Sequence, residues 1–194
     1  MNRKNVCIFC SSGNYIPQVY KDDARRLGEL CAEKGINIIN GAGAQGLMGI
    51  TADACLAGNG TVSGVIPKFM LDLGWAHSGL TELHVTDDIA SRKQKLRDLS
   101  DGIITLAGGC GTMDELWETV TARQLHQYDH PIIVLNTAGF YNPIKEWFQT
   151  CINEQFVRQA NADLIAFADT PEEAIRLFEE LPERKDCDIR EERH

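Results

Sequence analysis

No stretch of this 194-residue chain approaches the ~18 to 20 consecutive apolar residues that a bilayer-crossing helix needs, so no transmembrane helix and no membrane partner are expected. Nor is a secretory leader expected, because Met1 to Asn5 are polar and basic and run straight into a short apolar segment. With no leader, the seven cysteines point to a reducing, cytoplasmic setting rather than a disulfide framework. Positive charge is scarce. Nineteen Lys and Arg against 28 Asp and Glu leave a net charge of −9, which repels phosphate backbones and excludes a nucleic-acid polymer as partner. An anionic ligand must therefore be held by a local positive site. Internal repeats, long linkers and low-complexity segments are also missing, so one domain is expected over residues 1–182, followed by a charged, frayed tail over 183–194.

What is present is a regular alternation of short apolar runs with longer amphipathic stretches. That pattern predicts an α/β fold: a single Rossmann-like three-layer domain whose mainly parallel sheet is flanked by helices. Strands are expected at Val6 to Cys10, Ile36 to Asn40, Thr61 to Ile66, Glu82 to Thr86, Gly102 to Leu106, Ile132 to Leu135 and Leu164 to Phe167. Helices are expected at Pro17 to Lys34, Leu47 to Gly58, Ile89 to Leu99, Met113 to His126, Pro143 to Glu154 and Pro171 to Glu180. The segment Pro67 to Thr81 is the longest irregular connection, and loops of that length in compact domains are often functional. Cys7 and Cys10 have thiol-redox spacing, but within a strand residues three apart face opposite sides, which favours structural thiols.

In an open parallel sheet, ligands bind beyond the carboxyl ends of the strands. Two of those turns are glycine-rich. The first reads NGAGAQGLMG from Asn40 to Gly49, with Gly41, Gly43 and Gly46 in dinucleotide-fingerprint spacing. The acidic residue expected about 20 positions on is replaced by Ile66, Pro67 and Lys68, so a mononucleotide fits better than NAD. The alternative is that these glycines serve only a tight turn. The second reads AGGCGTMDELWE from Ala107 to Glu118, with Gly108, Gly109 and Gly111 opening a helix beside the Thr112 hydroxyl. Free amides and the helix dipole make this an anion cradle, and the missing Gly-Lys-Ser/Thr argues against P-loop hydrolysis.

Thr112 and Glu115 also have capping-box spacing, so Glu115 is either a cap or a catalytic carboxylate. The run Ser91-Arg92-Lys93-Gln94-Lys95 is either a phosphate-binding cluster or a solvated basic face paired with Asp87, Asp88 and Asp98. His126 and His130 have metal-ligand spacing, yet Asp129-His130-Pro131 is a helix exit and no metal site is expected. Trp117, Trp147, Phe148 and Phe156 read as core or subunit-contact aromatics.

Four stretches in order resemble the cytokinin riboside 5′-monophosphate phosphoribohydrolases, the "Lonely Guy" family long mislabelled lysine decarboxylases. They are Ile8 to Tyr20, Asn40 to Gly49, Gly79 to Leu96 and Leu106 to Glu118. The resemblance implies a cofactor-free homodimer that hydrolyses the N-glycosidic bond of an adenine-type nucleoside 5′-monophosphate to free base and ribose 5-phosphate. It implies Arg92 and Glu115 as the catalytic pair. Substrate contacts are implied at Lys93, Gly108, Gly109, Cys110, Gly111, Thr112, Asp114 and Thr121, with Gly41 and Gly43 from the first turn. Such cleavage develops positive charge on the sugar and negative charge on the base, which suits an anion and a cation in one site. Ala107, Asn40, Ala42 and Cys110 depart from the family pattern, and Gly74 stands where relatives carry a pocket-lining glutamate. Asp72 or a residue of a partner subunit is expected to supply the missing contact. Two other readings are a carrier of a nucleotide or molybdopterin-type cofactor on the same scaffold, and a pyridoxal-phosphate decarboxylase, for which neither Lys68 nor Lys93 suits a Schiff base.

Overall fold

The computed structural model describes residues 5–184. Seven strands form one sheet: β1 (Asn5–Phe9), β2 (Asn37–Asn40), β3 (Val62–Pro67), β4 (Glu82–Thr86), β5 (Ile103–Thr105), β6 (Ile132–Leu135) and β7 (Ala166–Ala168). All six pairings are parallel, in the order β4-β3-β2-β1-β5-β6-β7. Between them run α1 (Gln18–Lys34), α2 (Gly46–Ala57), a short α3 (Lys68–Asp72), α4 (Ile89–Asp98), α5 (Cys110–Gln124), α6 (Asn142–Asn153) and α7 (Pro171–Glu180). The expected three-layer α/β fold is present, with every strand parallel rather than most.

Parallel strands covered on both faces read as continuous apolar runs, and β1 does. Its side chains alternate between two cores. Val6, Ile8 and Cys10 join the layer packed with α1, α2 and α7, while Cys7 and Phe9 join the layer holding Leu96 of α4 and Leu116 and Val120 of α5. The two thiols of the Cys7/Cys10 pair thus lie on opposite faces, as strand geometry requires.

Expected and observed elements differ in three places. The connection after β3 contains α3, a five-residue helix with no buried residue, too short to leave a periodic signal. α5 begins at Cys110 rather than Met113, because Gly109 is the extended N-cap and Cys110-Gly111-Thr112 already form the first turn. β7 starts at Ala166, after Leu164 and Ile165 have been buried ahead of the ladder. The described residues take in the first two positions of the expected tail, Glu183 and Arg184. Arg184 donates from its amide to the Asp129 carbonyl at 2.8 Å and from Nη2 to Asn161 Oδ1 at 2.5 Å. The rest of the expected tail, 185–194, lies outside the described residues.

The chain runs outward from β1 through β2, β3 and β4, then crosses back to place β5 against β1. That reversal splays the connections that leave β1 and β5 and opens a crevice above the sheet's carboxyl edge.

α1 and α2 pack closely because Gly28 has no side chain. A Cβ there would sit 2.4 Å from the Thr51 carbonyl oxygen and 2.9 Å from Ala54 Cβ. Gly28→Ala should therefore lower stability by roughly 1–3 kcal/mol despite alanine's better helix propensity. A urea-unfolding midpoint equal to or above the parent's would refute this reading of the α1–α2 contact.

Candidate active site

The crevice is a cleft of about 360 Å³ at the carboxyl ends of β1, β2, β3 and β5. Its lining includes Cys10, Ser11 and Ser12 after β1, Gly41 and Gly43 after β2, Ile66, Met70 and Trp75 from the β3 side, and Arg92, Gly109, Gly111, Thr112 and Glu115. A larger hollow, about 590 Å³, lies between α1 and α2. It offers Arg25 among Glu29, Glu33 and Asp53 and stands away from the strand ends, which leaves the smaller cleft as the candidate site.

Arg92 reaches the cleft because of how α4 starts. Asp88 and Ser91 form a reciprocal capping box, Ser91 N–H donating to Asp88 Oδ1 at 2.7 Å and Asp88 N–H to Ser91 Oγ at 3.2 Å. The helix then turns Arg92 and Leu96, four apart, onto its buried face. Arg92 Nε donates to the Val65 carbonyl at 3.1 Å, and Nη1 donates to Glu115 Oε1 at 2.8 Å. Nη2 lies against Gly41, where a Cβ would come within 1.9 Å of it. Gly41 makes room for the guanidinium.

Glu115 lies on the buried stripe of α5 with Thr112, Leu116, Thr119 and Arg123. The capping-box alternative fails: the N-cap is Gly109, no side chain caps the helix, and the Glu115 carboxylate is turned to Arg92. Burial pushes the Glu115 carboxyl above the usual carboxylate range, and the Arg92 charge opposes that rise. Burial, reinforced by Glu115, likewise holds the Cys10 thiol well above the ordinary thiol range. Cys10 is therefore a protonated wall and not a nucleophile.

The second glycine turn divides by task. A Cβ on Gly108 would strike Thr112 Oγ1 at 2.1 Å, so Gly108 seats the threonine. A Cβ on Gly109 or Gly111 would meet nothing within 4 Å, and both face the cleft. Here the first amides of α5 present donors and the positive end of the helix dipole.

The cleft thus gathers Arg92, Glu115, Gly41, Gly43, Gly109, Gly111 and Thr112. Gly108 lies against Thr112 and does not line the cleft, and four other expected contacts lie outside it as well. Lys93 pairs with Asp114 at 2.9 Å and also with Glu118, which bonds Arg97 at 2.7 Å. Cys110, Asp114 and Thr121 line a shallow hollow on the outer face of α5 with Met113, Trp117 and Glu118. The bonds to Glu118 and then Asp114 raise the Lys93 ammonium above its ordinary range, opposite to what a Schiff-base lysine requires. Asp72 is tied to Lys68 at 2.9 Å and lines no part of the cleft, so the contact expected of it is corrected. Among the described residues, no group of three His, Cys, Asp or Glu side chains could hold a metal ion, and no helix is long and apolar enough to cross a membrane. Ser11, Ser12, Met48, Met70 and Trp75 were missed as lining residues. The rule that ligands sit beyond strand ends would have flagged Ser11 and Ser12 after β1.

A rice (Oryza sativa subsp. japonica) protein described as a probable cytokinin riboside 5′-monophosphate phosphoribohydrolase is 34% identical over 177 residues, 91% of this chain and 72% of that one. The chain belongs to this phosphoribohydrolase family. An Arabidopsis thaliana cytokinin riboside 5′-monophosphate phosphoribohydrolase is 32% identical, covering 91% of this chain and 82% of its own length. A family model described as "possible lysine decarboxylase" matches residues 48–178, which take in the second glycine-rich turn and the Arg92–Glu115 pair. Among solved structures, a structural-genomics target at 24% identity aligns over 92% of this chain and 99% of its own with a TM-score of 0.73. A molybdenum cofactor carrier protein from Chlamydomonas reinhardtii aligns over 92% and 98% at 16% identity and TM-score 0.69, which shows a common fold.

Within this family fold the pair is held by mutual charge, so removing one partner should cost more than removing both charges. Arg92→Met should destabilise by up to about 3 kcal/mol, and adding Glu115→Gln should recover part of that loss. Chemical denaturation of the two single variants and the double variant measures the coupling; strictly additive effects would contradict it.

Proposed function

We propose that the protein hydrolyses the N-glycosidic bond of an adenine-type nucleoside 5′-monophosphate, AMP or a cytokinin riboside monophosphate, to free base and ribose 5-phosphate. The observation that carries this reading is the buried Arg92–Glu115 pair, 2.8 Å apart, facing one cleft with the open amides of α5. Relatives named as phosphoribohydrolases support it over most of the chain.

The 5′-phosphate sits at the start of α5, on the amides beside Gly109 and Gly111 and the Thr112 hydroxyl, where the absence of Cβ atoms permits close approach. As the bond from C1′ to the base nitrogen breaks, its electron pair leaves with the base and C1′ becomes cationic. Ionised Glu115 stabilises that centre and takes a proton from the water that attacks C1′; that proton then passes to the nitrogen of the departing base, which leaves neutral and returns Glu115 to its ionised form. Arg92 holds Oε1, fixes the carboxylate and offsets charge on the departing side. The carboxyl's raised affinity for a proton makes it a stronger base than an ordinary glutamate.

Glu115→Gln keeps the shape and removes the charge, and should lower kcat by roughly a hundredfold or more. Because the ionised form acts, kcat/KM should rise with pH through the carboxyl's own titration, with an acid limb above the ordinary carboxylate range. Chromatography of incubations with AMP, adenosine and other nucleoside 5′-monophosphates tests the reaction. Free base from AMP and little from adenosine is expected; no base from any monophosphate would leave a carrier on the same fold.

We also propose a homodimer through the outer face of α5. Cys110, Asp114 and Thr121 lie there, beside Trp117 and a half-exposed Trp147 whose rings meet edge-on at 5.1 Å. Sedimentation should give a dimer for the parent and a monomer for Trp147→Asp; a parent that stays monomeric across the micromolar range would refute this.

A further inference from the structure

Trp75 is half exposed, at 53%, and lines both the active-site cleft and an adjoining hollow of about 320 Å³ bounded by Ser12, Gln45 and Gly74. An indole projecting at the mouth of a polar cleft leaves apolar area in water, yet the backbone that carries it is firmly fixed. Trp75 N–H donates to the Met70 carbonyl at 3.3 Å, and its own carbonyl accepts from Ala44 N–H at 3.3 Å. Ala76 bridges Gly43, and His77 N–H donates to the Ala42 carbonyl at 2.8 Å. The His77 ring closes the clamp. Its Nδ1 accepts from Gly79 N–H at 3.0 Å, which assigns the proton to Nε2 and makes Nε2 the donor to Asp53 Oδ1 at 2.9 Å. Gly74, at φ +73°, supplies the left-handed turn that ends α3 and delivers the indole to the cleft.

The same cleft is lined by three further apolar side chains, Ile66, Met70 and Met48. The charged pair and the amides of α5 lie in the same cleft, with Arg92 held by Val65 and Glu115. The geometry points to Trp75 as the residue on which the base of the nucleotide stacks, a specificity-determining contact that reads the base by its π-face rather than by its hydrogen-bonding edge. This rests on the phosphoribohydrolase reading above. Stacking tolerates any planar base and favours the larger ring system, so the site takes purine monophosphates as a class and prefers them to pyrimidine monophosphates.

The test uses the full chain carrying Glu115→Gln, so that substrate binds without turnover, titrated with AMP, CMP and ribose 5-phosphate by calorimetry and tryptophan emission. Of the three tryptophans, Trp117 and Trp147 pack together on α5 and α6, so a change confined to the cleft reports Trp75. AMP should alter the emission and bind more tightly than CMP, while ribose 5-phosphate should bind without that change. Adding Trp75→Ala should weaken AMP about 5- to 100-fold and leave ribose 5-phosphate within about twofold, and Trp75→Phe should restore most of the AMP affinity. Equal losses for AMP and ribose 5-phosphate, or an unchanged AMP affinity, would overturn the assignment while leaving the hydrolase intact. If the parent released no base and its Glu115→Gln form bound neither ligand, the hydrolase reading and this assignment would fall together.

Discussion

The contact on which the site depends is an ion pair buried at the carboxyl edge of the sheet. Taking a guanidinium and a carboxylate out of water is costly, and the cost is offset only when each finds close partners. Arg92 finds them in the Val65 carbonyl and Glu115, each reached by a different nitrogen. Three elements far apart in sequence, the end of β3, the turn after β2 and the second turn of α5, must be in place before that pair can close. Native structure and chemical competence are thereby the same condition at this point of the fold.

The strand order explains why the pair lies where it does. α4 follows the outermost strand on one side of the sheet and α5 follows the first strand on the other side of the reversal, so the crossing between them straddles β1. Side chains from both helices meet over the one place where neighbouring connections diverge. Helices carry both charges, and the rest of the wall is shared between regular elements, which supply Met48, Ile66, Met70 and Thr112, and the turns that supply Ser11, Ser12, Gly41, Gly43 and Trp75.

Much of this was legible in the residues. Apolar runs separated by amphipathic stretches specified seven strands and six of the seven helices, because each is long or periodic enough to state its own burial. α3 was not, since five residues with none buried carry no stripe. Arg92 and Glu115 were legible through resemblance to a family, but their local chemistry was ambiguous: a basic run and a cap-like spacing have commoner explanations. Only tertiary packing separates Arg92, turned inward beside Leu96, from Lys93 one position later, engaged with Asp114 and Glu118. Trp75 escaped for a related reason. Its position is set by backbone bonds to the turn at Ala42 to Ala44, more than thirty residues upstream, and no local pattern announces such a clamp.

The open space around Gly111 separates two kinds of constraint that usually coincide. Packing would accept alanine there, since an added methyl touches no protein atom, and alanine in a helix is worth roughly 1 kcal/mol more than glycine. The space beside Gly111 is thus left to whatever enters the cleft, and an alanine there would set a methyl group in that space in exchange for its gain in helix preference.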